Sequence, residues 1–369
     1  MVHDESTPDE TIGKPSRRTL LAGAAGGLAL ATGAPTAGAS PRHTGLRVSK
    51  IGDLTGPDIT GRFGVHYADL GIPVRCPDGR DLYVFGDTFG PQWGQNWRSP
   101  TALWGTRLHP GRATRFDGTP GGSFARQLIP YDHDDNGITT IIPSDVITLG
   151  RTMYLQGVVN RGFGNVLWSG IWTSTDNGET WTDSGARFPA DAYNRMWQMV
   201  SWDLGPDGWV YIYSCEFLRK SGMILHRVRP QQLTQPDAYQ PWGRKRGRWQ
   251  WGVAPTPVTT DQVVGEMSLR YLDGRWVWAW FNGPDYRIEA SVLREPTEDL
   301  TTARRVPLFY GTEWDQQDDT HIAQLYGSFV IPGSRLDDLS LTVSQWKTDD
   351  NSVYHVSQYR VRGLSRLSR

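Results

Sequence analysis

The chain is poor in cysteine, in net charge and in long apolar runs. Two Cys in 369 residues cannot build a disulfide framework or a Cys-rich zinc site. Cys76 and Cys215 could form a single bond, and nothing requires it. With 38 Lys and Arg against 39 Asp and Glu, there is no net basic field to attract nucleic acid or an acidic membrane. Beyond residue 40 no helical periodicity of useful length occurs. No G-x-x-x-x-G-K-[ST], G-x-S-x-G, H-E-x-x-H or C-x-x-C is present, which argues against P-loop nucleotide hydrolysis, an α/β-hydrolase and the commoner zinc centres. Disorder is excluded by the 11% aromatic content with only 21% charged residues. What is abundant is Gly (42), Pro (24) and Trp (17), the currency of short strands and turns, so an all-β fold is expected.

The first forty residues read as an address. Arg17-Arg18 precedes an uncharged stretch from Thr19 to Pro41, and Ala37-Gly38-Ala39 supplies a small-residue cleavage pattern. The stretch is mostly Gly, Ala and Thr with four Leu, which favours a cleaved signal over a membrane anchor. Residues 1–39 are therefore expected to be a twin-arginine signal peptide, and 40–369 a single domain. The protein is expected to be secreted or cell-wall associated, with no membrane insertion after cleavage. Four acids and three bases leave with the signal, so the remainder is formally neutral.

Within that domain one pattern recurs: an apolar run, a Gly or Asp turn, and a second run of β-branched and aromatic residues. The turns fall near residues 79, 150, 208, 274 and 338, and hairpins at this spacing, with about four strands per unit, predict a five-bladed β-propeller. Ser174-Thr175-Asp176-Asn177-Gly178-Glu179-Thr180-Trp181 resembles the Asp-box hairpin of sialidase-like propellers, where the Asp shapes a turn and the Trp packs. Long polar stretches at 117–140, 183–195, 234–262 and 310–325 are expected to lie on the functional face.

Asp69 precedes the first strand of the first hairpin and Asp87 follows the second. Their mean position is the turn, so in an undisturbed hairpin they face each other across two strands. Opposed acids raise one pKa and leave the other low, the arrangement needed to protonate a glycosidic oxygen beside an ionised carboxylate. An Asp that anchors a loop through backbone N–H groups remains the alternative. Asp145, Glu266 and Gln198 occupy matching positions in other blades and could contact sugar hydroxyls, tune the pair or make structural hydrogen bonds. Trp93 and Trp97 follow Asp87 and are the preferred sugar-stacking residues, although most Trp should pack between blades. Asp132-His133-Asp134-Asp135-Asn136-Gly137 opens like a calcium loop, but Pro143 stands where the bidentate Glu should be. A solvated acidic loop is the better reading, so bound calcium has little support and no cofactor is expected. His321 and the basic run Arg244-Lys245-Arg246-Gly247-Arg248 are read as loop residues.

Tyr67-Ala68-Asp69-Leu70-Gly71-Ile72-Pro73-Val74, Tyr83-Val84-Phe85-Gly86-Asp87-Thr88-Phe89-Gly90, Trp97-Arg98-Ser99-Pro100, Tyr326-Gly327-Ser328-Phe329 and Leu341-Thr342-Val343-Ser344-Gln345-Trp346 together resemble the actinobacterial family catalogued as domain of unknown function 4185. That family is associated with endo-D-arabinanases, five-bladed propellers that cut D-arabinofuranosyl linkages in mycobacterial arabinogalactan and lipoarabinomannan. The resemblance spans residues 60–360. It implies an endo-acting glycoside hydrolase, with Asp69 and Asp87 as catalytic acids and Arg98 among the substrate-binding residues. The expected partner is a neutral D-arabinan and the expected state a monomer. A non-catalytic propeller that binds cell-wall glycan or a protein through the same funnel is the competing reading. A sialidase-like exo-enzyme is disfavoured, because no arginine triad can be assigned.

Overall fold

The computed structural model describes residues 45–106, 111–259 and 262–367. The expected signal peptide at 1–39 lies outside the described residues. After β1 (Arg47–Asp53) and the two-residue β2 (Tyr67–Ala68), blade I is built from β3 (Ile72–Arg75) and β4 (Asp81–Phe85). The short β5 (Thr88–Phe89) turns back onto β2, and β6 (Thr101–Thr106) and β7 (Arg115–Gly118) complete the blade. Blade II is β8 (Thr140–Leu149), β9 (Thr152–Asn160), β10 (Val166–Ser174) and β11 (Thr182–Pro189). Blade III runs β12 (Met199–Leu204), β13 (Val210–Cys215), β14 (Met223–Val228), β15 (Gln240–Lys245) and β16 (Arg248–Trp251). Blade IV is β17 (Met267–Leu272), β18 (Arg275–Asn282), β19 (Arg287–Leu293), β20 (Arg305–Thr312) and β21 (His321–Ala323). Blade V is β22 (Leu325–Val330), β23 (Asp338–Trp346) and β24 (Tyr354–Arg362), with β1 as its outermost strand.

The ring closes because the innermost strands β3, β8, β12, β17 and β22 touch in cyclic order, the last against the first. The fold is the expected five-bladed propeller. Closure is also made by chain: β1 pairs antiparallel with β24, from Arg47 opposite Arg362 to Asp53 opposite Ser357. This joint was not visible as a hairpin, since its two strands are separated by nearly the whole sequence. Pairing β1 there satisfies an edge that would otherwise be open.

Four of the hairpin turns sit where the pattern put them, whereas the fifth connection runs over 331–337 and Asp338 already opens β23. Asp273 and Gly274 both have positive φ (49° and 80°), the conformation that keeps the right-handed twist of the flanking strands. The long polar stretches are not all loops: 183–195 contains most of β11, 234–262 contains β15 and β16, and 310–325 holds the end of β20 and all of β21. They were polar because outer strands of a propeller blade are solvent-facing, which weakens the alternation that marks a strand. Only 117–140 is mainly irregular, and it leads from β7 of blade I to β8 of blade II.

The core is aromatic. Trp202, Trp278 and Trp280 are fully buried, and Trp278 stacks on Trp280 at 3.7 Å. The Asp-box hairpin is structural, as its resemblance implies. Ser174 Oγ donates to Asp176 (2.7 Å), Asp176 accepts the Thr180 backbone N–H (3.0 Å), and buried Trp181 donates to the Gly178 carbonyl. Its tip clamps blade I, where the Asn177 carbonyl accepts the indole N–H of Trp104 at 3.1 Å.

Cys76 and Cys215 are both buried free thiols. Among the described residues no helix is long and apolar enough to cross a membrane.

Candidate active site

Register decides the site. β3 pairs with β4 so that Ile72 faces Val84, and β2 pairs with β5 so that Ala68 faces Thr88. Both ladders share one register, which places Asp69 opposite Asp87 in the gap between them. The ladder breaks there because Leu70 and Gly71 adopt positive φ (64° and 62°). The Asp69 carbonyl, freed from strand pairing, accepts the N–H groups of Gly71 (2.9 Å) and Gly86 (3.2 Å). Blade V holds the kink from the other side, where Ser344 Oγ accepts the Leu70 N–H at 2.9 Å. A side chain at Gly86 would drive its Cβ into Asp69 Oδ1, well inside van der Waals contact. Glycine is therefore needed at 86 to leave room for the acid.

The two carboxyls live in different surroundings. Asp69 Oδ2 accepts the Tyr326 hydroxyl at 2.9 Å, whereas Oδ1 is shielded from solvent and has no partner. Burial, reinforced by the charge of Asp87 and more weakly by Glu266, pushes Asp69 up to about 7, against the hydrogen bonds of Tyr354 and Tyr326. Asp87 Oδ1 accepts two donors, the Trp97 indole N–H (2.7 Å) and the Thr140 hydroxyl (2.9 Å). Burial raises Asp87 too, but those donors counter it. Asp69 is thus set to hold a proton near neutrality, while Asp87, also raised by burial, has two donors that favour its charged form.

A third carboxylate faces the pair. Glu266 Oε1 is ion-paired with Arg219, whose guanidinium lies 5.6 Å from the centre of the Tyr326 ring. Glu266 Oε2 is shielded and unpartnered. Behind Asp87, His133 stacks on Trp97 (4.2 Å between ring centres), with Nδ1 at 2.7 Å from the Thr139 carbonyl and Nε2 at 3.0 Å from Gln127 Oε1. Burial lowers the His133 pKa, against the Thr139 carbonyl and the charge of Asp87, which favour the protonated ring.

Other expected site residues are placed differently. Asp145 is fully buried, and both of its oxygens accept from Arg270, at 2.7 and 2.9 Å, with Ser201 Oγ (2.7 Å) and the Trp202 N–H (3.1 Å) completing its shell. It ties the inner strands of blades II, III and IV together and has no lone pair to offer a sugar. Gln198 is likewise 1% exposed and spends its amide on the Ala190 carbonyl and the Phe217 N–H. Arg98 is buried too; it donates to the carbonyls of Asn96, Gly64 and Ala125, and so pins the loop that carries Trp97. Trp97 is occupied through its N–H by Asp87 and on one face by His133. Trp93 packs among Phe89 (4.5 Å), Tyr354 (5.1 Å) and Trp346 (5.8 Å). Inner-strand position alone could not separate these cases, because it says nothing of which neighbour reaches the side chain first.

His321 is held by its own loop acid, Asp318, at 3.1 Å. The acidic loop at 132–137 folds as an Asx turn, with Asn136 N–H donating to Asp134 at 2.9 Å. Among the described residues no group of three or more His, Cys, Asp or Glu is placed to hold a metal ion.

Tyr354, Arg219, Thr140 and His133 belong to the site and were not singled out for it. Tyr354 and Arg219 come from blade V and from the loop after β13, so only closure of the ring brings Tyr354 to Asp69 and Arg219 to Glu266 and Tyr326. His133 lay inside the calcium-like run, where the acids drew attention away from it.

Solved structures share the fold. A Bacteroides ovatus protein described as a candidate hydrolase superposes with a TM-score of 0.64 at 13% identity, covering 90% of this chain and 94% of that one. A GH43_1 enzyme from Xanthomonas citri does so with a TM-score of 0.52 at 10% identity, covering 85% and 90%. In sequence, an uncharacterized 35.9 kDa protein of Mycolicibacterium smegmatis is 29% identical over 338 residues, 85% of this chain and 98% of the relative. The model of the domain of unknown function DUF4185 matches residues 55–360, and the chain belongs to that family.

Proposed function

We propose that the protein is an exported glycoside hydrolase that cuts α-D-arabinofuranosyl linkages within a neutral arabinan of the mycobacterial arabinogalactan and lipoarabinomannan type. The observation that carries this reading is the asymmetry of the opposed acids. Asp69 is pushed up to about 7, while Asp87 is supplied with two hydrogen-bond donors. Asp69 gives its proton to the glycosidic oxygen as the bond to the anomeric carbon breaks, and ionised Asp87 activates water or attacks that carbon. If Asp87 acts as base, it releases the water's proton to solvent and Asp69 is reprotonated from solvent; if it acts as nucleophile, Asp69 takes a proton from the incoming water as that water hydrolyses the sugar–Asp87 ester. Tyr326 and Tyr354 orient Asp69, Trp97 and Thr140 orient Asp87, and Arg219 holds Glu266 beside them.

The propeller fold shared with a GH43_1 enzyme supports glycosidase chemistry at this face. The formally neutral domain suits a polymer without an ionic handle, bound by a monomer that needs no cofactor. The arginine pair ahead of the uncharged stretch supports export to the cell wall. The test is to incubate the purified chain with arabinogalactan, lipoarabinomannan, xylan and α-L-arabinan and to resolve the products by anion-exchange chromatography. Arabino-oligosaccharides of several lengths from the first two substrates alone are expected. Release of single sugars only would overturn endo action, and retention on the insoluble polymer without new reducing ends would overturn hydrolysis.

A further inference from the structure

Blade III carries an aromatic and cationic rim that the chemistry at Asp69 does not use. The fifth strand makes it. Register pairs Trp242 with Trp251 and Arg244 with Trp249, so side-chain alternation puts these four residues on one face of the β15–β16 hairpin. Trp242 and Trp249 are nearly parallel (10°) with ring centres 5.9 Å apart, and Trp249 is 40% exposed. The row continues inward: the Arg227 guanidinium lies 4.3 Å from the Trp251 ring and 4.2 Å from Trp209, and Arg229 lies 3.7 Å from Trp209. Arg244, Lys245, Arg246 and Arg248 are all exposed, and no acid occurs from Ala238 to Thr260.

Charge is the unusual part. Among the described residues, Arg75, Arg80, Arg187, Arg270 and Arg360 are paired with carboxylates. None of the rim cations has such a partner there, and Asp207, the acid nearest Arg229 along the row, accepts the Tyr211 hydroxyl. A hairpin meant only to blunt a sheet edge needs lysines or charges, not a pair of parallel indoles. An exposed indole, Trp249, beside guanidinium groups without carboxylate partners matches a ligand that offers a flat C–H face and planar anions together.

We propose that this rim is an accessory binding surface for a carboxylate-bearing polysaccharide, with a sugar ring on Trp249 and uronate groups on Arg244 and Arg248. Single-stranded nucleic acid also pairs aromatic stacking with cations. It is disfavoured because successive bases need successive stacking faces, and of the rim's indoles only Trp249 is exposed.

The experiment is native affinity electrophoresis of the full chain in gels containing polygalacturonate, neutral dextran or a single-stranded oligothymidylate. Polygalacturonate should retard the protein and dextran should not. Trp249→Ala, and separately Arg244→Gln with Arg248→Gln, should each weaken the retardation about tenfold while leaving turnover of a soluble arabino-oligosaccharide unchanged. Retardation by polygalacturonate no greater than by dextran, retardation that survives both sets of substitutions, or equal retardation by the oligonucleotide would each overturn the proposal. Because binding is read without catalysis, these outcomes are independent of whether the chain cleaves arabinan.

Discussion

Replacing Asp69 by Asn should make the protein more stable as it makes it inactive, and the stability gain should depend on pH. A carboxyl moved from its ordinary 3.8 to about 7 prefers to keep its proton in the folded state by about 4 kcal/mol, at roughly 1.4 kcal/mol per pH unit. Because the folded value is raised, this contribution is fully present below the unfolded pKa and is lost as pH climbs to about 7. Between about pH 5 and about pH 8 the unsubstituted chain therefore loses about 3 kcal/mol through this one group. Asn cannot ionise and escapes that loss, and it also relieves Asp87 of a like charge. Urea unfolding of both proteins at the two pH values checks it: the stability advantage of Asp69→Asn should widen by about 3 kcal/mol on going to the higher pH. Activity should fall about 10²- to 10⁴-fold, the usual worth of a positioned proton donor. Parallel pH dependences in the two proteins would refute the reasoning, because Asp69 would then titrate as an ordinary surface acid.

The other consequences concern the groups that hold this arrangement. Trp97→Phe removes the indole N–H from Asp87; the Asp87 pKa should rise, and the acidic limb of kcat/KM should move to higher pH by about one unit, an unchanged limb counting against Asp87 as the ionised partner. Arg270→Met strands the Asp145 carboxylate in the core and should cost about 3–5 kcal/mol in denaturant unfolding. Adding Asp145→Asn should recover part of that loss, and a cost below about 1 kcal/mol would remove the buried pair from the account of ring closure. Burial pushes the Cys76 thiol up to about 12 and holds the Cys215 thiol well above its ordinary value. Ellman's reagent should therefore find neither thiol in the native protein and both in denaturant, with a melting temperature indifferent to reductant; a single titratable thiol or none after unfolding would contradict two free cysteines.

Two ring-level devices keep the acids in place. Asp145 and Arg270 join blades II and IV across the axis beneath the site, with Ser201 of blade III between them. Arg98 fastens the 96–98 loop to the carbonyls of Gly64 and Ala125, so the indole that serves Asp87 is set by backbone contacts rather than by its own rotamer freedom. Both use arginine because its planar fork satisfies several acceptors at once where water is excluded.

Local chemistry was legible in the linear chain. Turn glycines and aspartates at a spacing of some sixty residues specify hairpins, and hairpins of that number must close on themselves to hide their edges. The shared register of Asp69 and Asp87 about one turn follows from counting, since strand pairing is periodic and survives even the kink at Leu70 and Gly71. What lies across the ring could not be counted. Whether an inner-strand acid spends both oxygens on an arginine, as Asp145 does, or one, as Glu266 does, depends on side chains from other blades, 125 and 47 residues away. Tyr326 and Tyr354 act on Asp69 because blade V closes against blade I, and blade V is complete only when β1 pairs with β24. The sequence by itself determined the blades and the opposed acids. Tertiary structure decided the surroundings that raise Asp69 to about 7 and give Asp87 its two donors, because burial and hydrogen-bond partners, not spacing, set a pKa.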